Sequence, residues 1–188
     1  MSTPDFVEAL DFWFGAPGSR ERGRSRKAWF QKSEAFDAEV RRRFLATWEQ
    51  ALRGELERWQ ETPLASLALV VVLDQFPRNM FRGTARAFSS DSHALAAARG
   101  TIARGFDLLL PPVERWFVYM PFEHAEDLAT QRRSLALFHA LDPEDMKYAK
   151  RHYEIIARFG RFPHRNAILG RESTAEETEF LKRPGSSF

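Results

Sequence analysis

The stretch "TPLASLALVVVLDQF", Thr62–Phe76, decides the fold class. Thr62 is a good helix N-cap, and Pro63 suits the first helical position because the N–H that proline lacks has no partner there. The apolar run that follows is about half the roughly 20 residues needed to cross a bilayer, so it indicates a core segment. Its three consecutive valines favour a strand, but the capped run is too long for a typical one. We therefore predict a core helix over 63–76.

Helix start signals recur along the rest of the chain. Thr3-Pro4 and Asp142-Pro143 repeat the cap-then-proline pattern, Ser33 and Asp91 are further caps, and Thr174 with Glu177 can form a capping box. Together with the apolar periodicity, these signals predict helices at about 4–14, 33–53, 63–76, 91–104, 112–120, 122–140, 143–160 and 174–182. The prediction is an all-α fold of about eight helices in a single domain, 1–188.

Composition excludes several classes of protein. At 188 residues the chain is long enough for one well-buried domain and short for two. With 44% hydrophobic and 29% charged residues, it is typical of neither a disordered chain nor a membrane protein. The absence of cysteine excludes disulfides and thiolate chemistry. Asp5, Glu8 and Asp11 fall where a signal peptide would be apolar, so we expect a cytoplasmic protein.

The one concentration of basic residues is the Gly- and Ser-rich loop that includes Arg20–Lys32. Five Arg or Lys side chains precede Trp29-Phe30, and only Glu21 opposes them. No known nucleic-acid-binding motif accompanies this loop, so we favour a solvated loop over a nucleic-acid site.

Polar side chains that the helical period turns inward are the strongest functional signal. Asp74 lies in the all-apolar core helix, and His152 lies on the apolar face of the predicted 143–160 helix. His124 and Gln131 share one apolar stripe of the predicted 122–140 helix. An isolated buried carboxylate or imidazole costs several kcal/mol unless it is paired, so each of these groups needs a partner.

The partners that we expect come from two related segments. "QFPRNMFRG" (Gln75–Gly83) and "RFPHRNAILG" (Arg161–Gly170) both have Phe-Pro followed by Arg-Asn, and the second has one extra residue, His164. Proline pushes the preceding residue out of the α region, so we expect each segment to end a helix and to project its Arg and Asn from a fixed position. Phe76 and Phe162 are expected to anchor the two turns in the core.

These residues predict a polar cavity, formed by the two segments and the helix that starts at Pro121, for a small anion bearing a phosphate or a carboxylate. Arginine binds either group through a planar fork, and imidazoles titrate near neutral pH. The catalytic candidates are His124, His152 and Asp74, with Asp74 or Asp127 orienting an imidazole. The ligand-binding candidates are Arg78, Asn79, Glu123, Gln131, Arg158, Arg161, His164, Arg165 and Asn166. The sequence leaves the cofactor unknown, and it leaves open whether turnover accompanies binding.

Three other interpretations of the same residues stay open. In a hydrolytic reaction His124, His152 and His164 could ligate a divalent metal together with Glu123. These histidines lack any short ligand spacing, so we assign no metal. The polar groups could instead form a purely structural network. The helices could also present a groove to a peptide or to a second copy of the chain, with tryptophan anchors at Trp13, Trp29, Trp48, Trp59 and Trp116.

Four strings resemble the motifs of an uncharacterised, mostly bacterial family called domain of unknown function 924: "DFWFG", "LDQFPRNMFRGTARAFSSD", "MPFEHAEDLATQ" and "RFGRFPHRNAILGRESTAEE". The likeness extends from Phe12 to about Leu181. It implies a superhelix of antiparallel helix pairs, of the tetratricopeptide-repeat type, and it implies no activity, because none is established for the family. The sequence itself shows no 34-residue period, so the superhelix is an expectation from the resemblance alone.

Overall fold

The computed structural model describes residues 5–144 and 146–187. These ranges contain eight α-helices and no β-strand, so the all-α prediction is confirmed. The helices are α1 (Phe6–Phe14), α2 (Glu34–Leu52), α3 (Pro63–Met80), α4 (Asp91–Ala103), α5 (Pro112–Glu123), α6 (Leu128–Leu141), α7 (Lys147–Phe159) and α8 (Ala175–Leu181). The chain divides into two compact units, one of residues up to 82 with 86–121, and one of residues 83–85 with 122 onward. The single domain over 1–188 and the repeat-type superhelix stay predictions.

Helix α3 is the centre of the first unit. It contacts α1, α2 and α4, and every residue from Ala65 to Pro77 is buried. A helix that is apolar on all sides has to be surrounded by protein in this way. The ring of Phe76 lies 4.5 Å from that of Phe44 and 5.7 Å from that of Trp13, between ring centroids. Burial of each such side chain contributes about 1.5–3 kcal/mol.

The predicted end of α3 at Phe76 is wrong, because the helix continues through Pro77 to Met80. A proline inside a helix cannot donate to the carbonyl four residues earlier, which here is that of Leu73. The Ser90 hydroxyl donates to this carbonyl at 2.6 Å and accepts from Trp48 Nε1 at 3.0 Å. Because Ser90 supplies the missing hydrogen bond, the helix tolerates Pro77.

The predicted boundary between the fifth and sixth helices is also displaced. Pro121 lies inside α5 instead of ending it, and α6 begins at Leu128 instead of near residue 122. The Asp127 carboxylate accepts from the backbone N–H of Thr130 at 2.7 Å and so is the N-cap of α6. His124 consequently lies in the connection between the two helices, not on the helical stripe that periodicity assigned to it.

Helix α7 begins later than predicted and ends one residue before the predicted end. It starts at Lys147, because Asp142 caps the C-terminus of α6 and its carboxylate accepts from the Glu144 N–H at 3.0 Å. It ends at Phe159, where Gly160 adopts a left-handed conformation, φ +69°, and donates to the Ile156 carbonyl at 2.9 Å.

Three of the predicted caps are confirmed. Ser33 caps α2, Thr62 caps α3, and Thr174 forms a complete capping box with Glu177 at α8. Asp91 is instead the first residue of α4, after Ser90 at the cap position. The predicted Thr3-Pro4 cap lies outside the described residues, and Asp5 caps α1.

The basic loop after α1 is held against the end of that helix. Arg26 donates to the carbonyl oxygens of Phe12 and Trp13, both at 2.6 Å, and Trp29 Nε1 donates to that of Trp13 at 2.9 Å. Arg22 Nε lies 2.7 Å from an oxygen of the buried Glu114 carboxylate. Two of the loop's arginines therefore fix its position by binding protein groups.

Candidate functional site

The first Phe-Pro-Arg-Asn segment holds a buried ion network within the first unit. Asp74 is fully buried, and Arg78 Nη1 lies 3.4 Å from Asp74 Oδ1 and 3.0 Å from Asp91 Oδ1. Gln75 donates its side-chain amide to the second oxygen of Asp74. The inward position of Asp74 is thus confirmed, and its charge is balanced by the residue one helical turn later.

Asn79 and Arg82 of the same segment bind α2. Asn79 Nδ2 donates to Asp37 Oδ1 at 2.7 Å, and the Arg82 guanidinium donates to both oxygens of that carboxylate, at 2.7 and 2.9 Å. Burial would raise the pKa of Asp37, but the hydrogen bonds from Arg82 and Asn79 outweigh it and hold the pKa below its usual value. The hydrogen bonds from Asn79 and Arg82 to Asp37 thus join the end of α3 to α2.

The second segment, in the second unit, attaches α8 through one carboxylate. The Arg161 guanidinium donates to both oxygens of Glu177, at 2.7 and 2.8 Å, and Asn166 Nδ2 donates to Glu177 at 3.3 Å and to Ser173 Oγ at 3.0 Å. Glu177 also accepts from the Thr174 N–H at 2.8 Å. The Arg161 hydrogen bond is the main reason that the pKa of Glu177 falls to about 2.

A second ion pair fixes the segment itself, and sequence analysis did not assign it. The Glu126 carboxylate binds the Arg171 guanidinium at 2.6 and 2.9 Å and accepts from the Phe162 N–H at 2.7 Å. The two residues are 45 positions apart. No local pattern in one sequence could have paired them.

Three further ligand candidates also contact protein groups. Gln131 is fully buried, and its side-chain amide donates to the carbonyl oxygens of Phe122, Glu123 and Ala125, at 3.3, 2.6 and 2.8 Å. It therefore satisfies carbonyls left over at the end of α5. The side chain of Glu123 is buried, and Arg158 forms an exposed ion pair with Glu176 at 2.7 Å.

The remaining candidates form one cluster around the ring of Phe162, which we call the histidine–arginine cluster (His124, His152, His164 and Arg165). The ring centroids of His152 and His164 each lie 5.6 Å from that of Phe162, and those of His124 and His152 are 6.2 Å apart. The Arg165 guanidinium carbon lies 4.6 Å from the Phe162 centroid. Phe162 is fully buried, as predicted, so it fixes the positions of the groups packed on it.

Two imidazoles of the cluster are neutral at physiological pH. His152 Nδ1 lies 2.8 Å from the Tyr148 carbonyl oxygen, which can only accept, so Nδ1 carries the hydrogen and Nε2 the lone pair. Burial, followed by the nearby His124, lowers the pKa of His152 to about 3. Burial, followed by the charge of Arg165, lowers the pKa of His164 to about 4, with Glu126 opposing the shift.

Comparison with known proteins identifies the family. Residues 9–185 match the model of a family described as a bacterial protein of unknown function, DUF924. The chain belongs to this family. It is also similar to the solved structure of ATU0120 from Agrobacterium tumefaciens, a protein of unknown function, with 42% identity, a TM-score of 0.85, and coverage of 94% of this chain and 96% of the other. Among curated proteins there is no significant match.

The DUF924 motifs contribute to both units. Asp74, Arg78 and Asn79 lie in the first unit, whereas the histidine–arginine cluster, Arg161 and Asn166 lie in the second. The shared cavity therefore stays a prediction. Asp127 caps α6 with its carboxylate, and its role beside an imidazole stays a prediction.

The structure can be compared with two of the alternative interpretations, the metal site and the groove with tryptophan anchors. Within residues 5–144 and 146–187, no three His, Asp or Glu side chains are arranged to hold a metal ion, so the metal alternative is not supported. Trp13, Trp48 and Trp59 are core residues with at most 4% of their surface exposed, which removes them as anchors for a peptide. In the part of the chain that the structure describes, no helix is long and apolar enough to cross a membrane.

Proposed function

We propose that this DUF924 protein binds a small anion, a carboxylate or a phosphate, at the histidine–arginine cluster of its second unit. The observation that carries the proposal is the position of Arg165, whose guanidinium is held on the face of Phe162 while only 6% of the residue is exposed. A guanidinium fixed in one plane loses little freedom when it binds a planar or tetrahedral anion through two hydrogen bonds.

The electrostatics of the cluster support an anion over a cation. The charge of Arg165 contributes to the low pKa of both His152 and His164, so the local potential disfavours a further positive charge. The Glu126 carboxylate opposes the low pKa of His164, but Arg171 already binds this carboxylate through two hydrogen bonds. Burial is the main cause of both low pKa values, and the part contributed by the positive charge of Arg165 is the part that attracts an anion.

The neutral imidazoles would define the chemistry at the bound anion. With Nδ1 of His152 donating to the Tyr148 carbonyl, Nε2 is the basic nitrogen of this ring. It can accept a hydrogen bond from a ligand hydroxyl or from a monoprotonated phosphate. Hydrogen-bond acceptance of this kind serves recognition of the ligand. His124 and His164 are only partly buried, so part of the cluster is accessible to solvent.

Thermal unfolding in the presence of inorganic phosphate, citrate and malate tests the proposal. An anion at 100 times its dissociation constant adds about 2.7 kcal/mol of stability, which raises the melting temperature by several degrees. We expect this increase for the wild type and for Arg133→Gln, which removes an exposed arginine of α6, and a much smaller one for Arg165→Gln. Equal increases for the wild type and Arg165→Gln, or no increase for any anion, would contradict the proposal.

A purely structural network remains the second candidate, and the ion pairs around α8 favour it for part of the set. Arg161 and Asn166 both bind Glu177, and Glu126 binds Arg171. We expect Arg161→Gln to lower the free energy of unfolding while leaving the phosphate-induced increase unchanged. Loss of the phosphate response in Arg161→Gln would move that residue from the structural group into the anion site.

A further inference from the structure

An open groove lies in the second unit, and no residue of the histidine–arginine cluster lines it. It is formed by one face of α7, by α8 and by the chain segment Arg183–Gly185, and its volume is about 770 Å³. Sites for organic ligands commonly fall between about 300 and 1,000 Å³. Arg158 is the one residue lining this groove that sequence analysis proposed as a ligand-binding residue.

The apolar part of the groove consists of Ile155, Phe159 and Phe180. Ile155 is 4% exposed, and the rings of Phe159 and Phe180 lie 5.0 Å apart between centroids. Both phenylalanines are only partly buried and pack against the core of the unit. They therefore form a fixed apolar surface that a ligand can cover, which is favourable by about 25 cal/mol per Å² of apolar area.

The polar part of the groove is strongly basic. Five of its lining residues are cationic, namely Lys147, Lys150, Arg151, Arg158 and Arg183, and one, Glu154, is anionic. Lys150 and Arg183 are exposed, and no ion pair joins either to a carboxylate within the described residues. An apolar surface beside an excess of positive charge is complementary to a molecule that has an apolar body and an acidic group.

We propose that this groove binds an amphipathic organic anion, with its apolar body on Ile155, Phe159 and Phe180 and its acidic group beside Lys150 and Arg183. A purely ionic ligand would leave the aromatic surface in water, and a neutral apolar ligand would leave the cations without a counter-charge. The residues that line this groove are different from those of the histidine–arginine cluster. Inorganic phosphate, which has no apolar body, is not expected to compete for it.

The wall formed by the chain segment after α8 gives the groove a defined shape. Gly185 has φ +77°, and a Cβ added there would lie far inside contact distance of the Arg151 guanidinium. Ser186 keeps the segment in place, because its hydroxyl donates to the Leu181 carbonyl at 3.0 Å. Any larger side chain at Gly185 must therefore displace either Arg151 or the segment, and either movement changes the groove without changing its charge.

Fluorescence titration with anilinonaphthalene sulfonate tests the proposal, and N-phenyl-naphthylamine, which has the same rings without the sulfonate, is the neutral control. We expect one dye site and a dissociation constant that rises about tenfold in Lys150→Gln/Arg183→Gln. Arg132→Gln/Arg133→Gln removes two exposed arginines of α6 and should bind as the wild type does. Equal binding by the two double variants, or equal binding of the charged and neutral dyes to the wild type, would overturn the proposal.

Gly185→Val tests the shape of the site separately from its charge, with circular dichroism to verify folding. We expect the folded variant to bind the sulfonate dye at least about tenfold more weakly, since its groove is altered. Decanoate should displace the dye from the wild type, and decanol should not. Wild-type affinity in Gly185→Val, or displacement by an oligoglutamate peptide but not by decanoate, would overturn the assignment to a small amphipathic anion.

Discussion

The two Phe-Pro-Arg-Asn segments have nearly the same sequence and different backbones. In the first, Pro77 lies inside α3 and Arg78 and Asn79 belong to the last turn of that helix. In the second, the helix has ended before Pro163, which begins a short 3-10 helix, Pro163–Arg165. The first segment uses its polar groups to bind neighbouring helices, and the second places Arg165 among imidazoles.

One aligned position accounts for much of this difference. The residue three positions before the proline is Asp74 in front of the first segment and Gly160 in front of the second. Gly160 takes the left-handed conformation that ends α7, φ +69°, whereas no residue other than glycine has a positive φ in the described chain. The backbone of this repeated motif therefore depends on the residue that precedes it. Its polar groups then acquire different partners.

The largest expected effect tests whether the first segment is architectural. Asp74→Ala removes a fully buried carboxylate beside Arg78, and breaking a buried ion pair costs about 3–5 kcal/mol. Asp91→Ala removes the other carboxylate beside Arg78, but Asp91 is 21% exposed, so we expect about 1 kcal/mol. Urea unfolding measures both. A smaller loss of unfolding free energy in Asp74→Ala than in Asp91→Ala would show that the buried Asp74–Arg78 pair does not have this structural role.

The next effect concerns why a proline is tolerated in α3. Ser90→Ala leaves the Leu73 carbonyl and the Trp48 N–H buried without the hydroxyl, at a cost of about 2–3 kcal/mol. Pro77→Ala restores a backbone N–H that can reach the Leu73 carbonyl. In the double variant we expect about 1 kcal/mol of the Ser90→Ala loss to return. A double-mutant cycle measures this coupling, and strict additivity would contradict the explanation.

A smaller effect tests the glycine that distinguishes the segments. Gly160→Ala forces a side chain into a left-handed conformation and should cost about 1–2 kcal/mol. Gly100→Ala is the matched control, because Gly100 lies inside α4 without a positive φ and only flexible side-chain ends approach its Cβ position. Thermal unfolding of the two variants should therefore differ. Equal melting temperatures would show that the left-handed exit does not set the end of α7.

The smallest expected effect is a pH dependence of stability caused by His152, whose ring packs on Phe162 of the second segment. The pKa of His152 is about 3 in the folded protein and near 6.5 when unfolded, so the unfolded chain takes up the proton first. Its contribution to stability is complete above about pH 6.5 and decreases as the pH falls toward 3. His152→Asn keeps a donor for the Tyr148 carbonyl and should reduce the loss between pH 6 and 5 by about 1 kcal/mol. If the free energy of unfolding, measured with urea, falls as steeply between pH 6 and 5 in His152→Asn as in the wild type, His152 is not kept neutral.

Much of the fold follows from local sequence signals. Caps at Ser33, Thr62 and Thr174 and the inward positions of Asp74, Gln131 and His152 were predictable, because each depends on residues within a turn or two. The extension of α3 was not, because it depends on Ser90, 17 residues from the carbonyl that it binds. The break before α6 was missed because the prediction began that helix just after Pro121, whereas Pro121 lies inside α5 and Asp127 caps α6.

The candidate site was predictable in composition and not in arrangement. Inward histidines and a Phe-Pro-Arg-Asn segment pointed to His152, His164 and Arg165, which do pack around Phe162. That Arg161 binds Glu177, 16 residues away, could not be read from spacing. An arginine near a candidate site can bind a ligand or a protein carboxylate, and only three-dimensional distances distinguish the two.

The most direct test of the anion site is nitrogen-15 nuclear magnetic resonance of the histidine side chains, recorded between pH 5 and 7 with and without inorganic phosphate. We expect His152 to be a neutral, Nδ1-protonated imidazole over this whole range. Phosphate should shift the ring resonances of His152 and His164 in the wild type but not in Arg165→Gln. A His152 ring that becomes charged near pH 6, or histidine resonances that phosphate leaves unchanged, would contradict the proposed anion site.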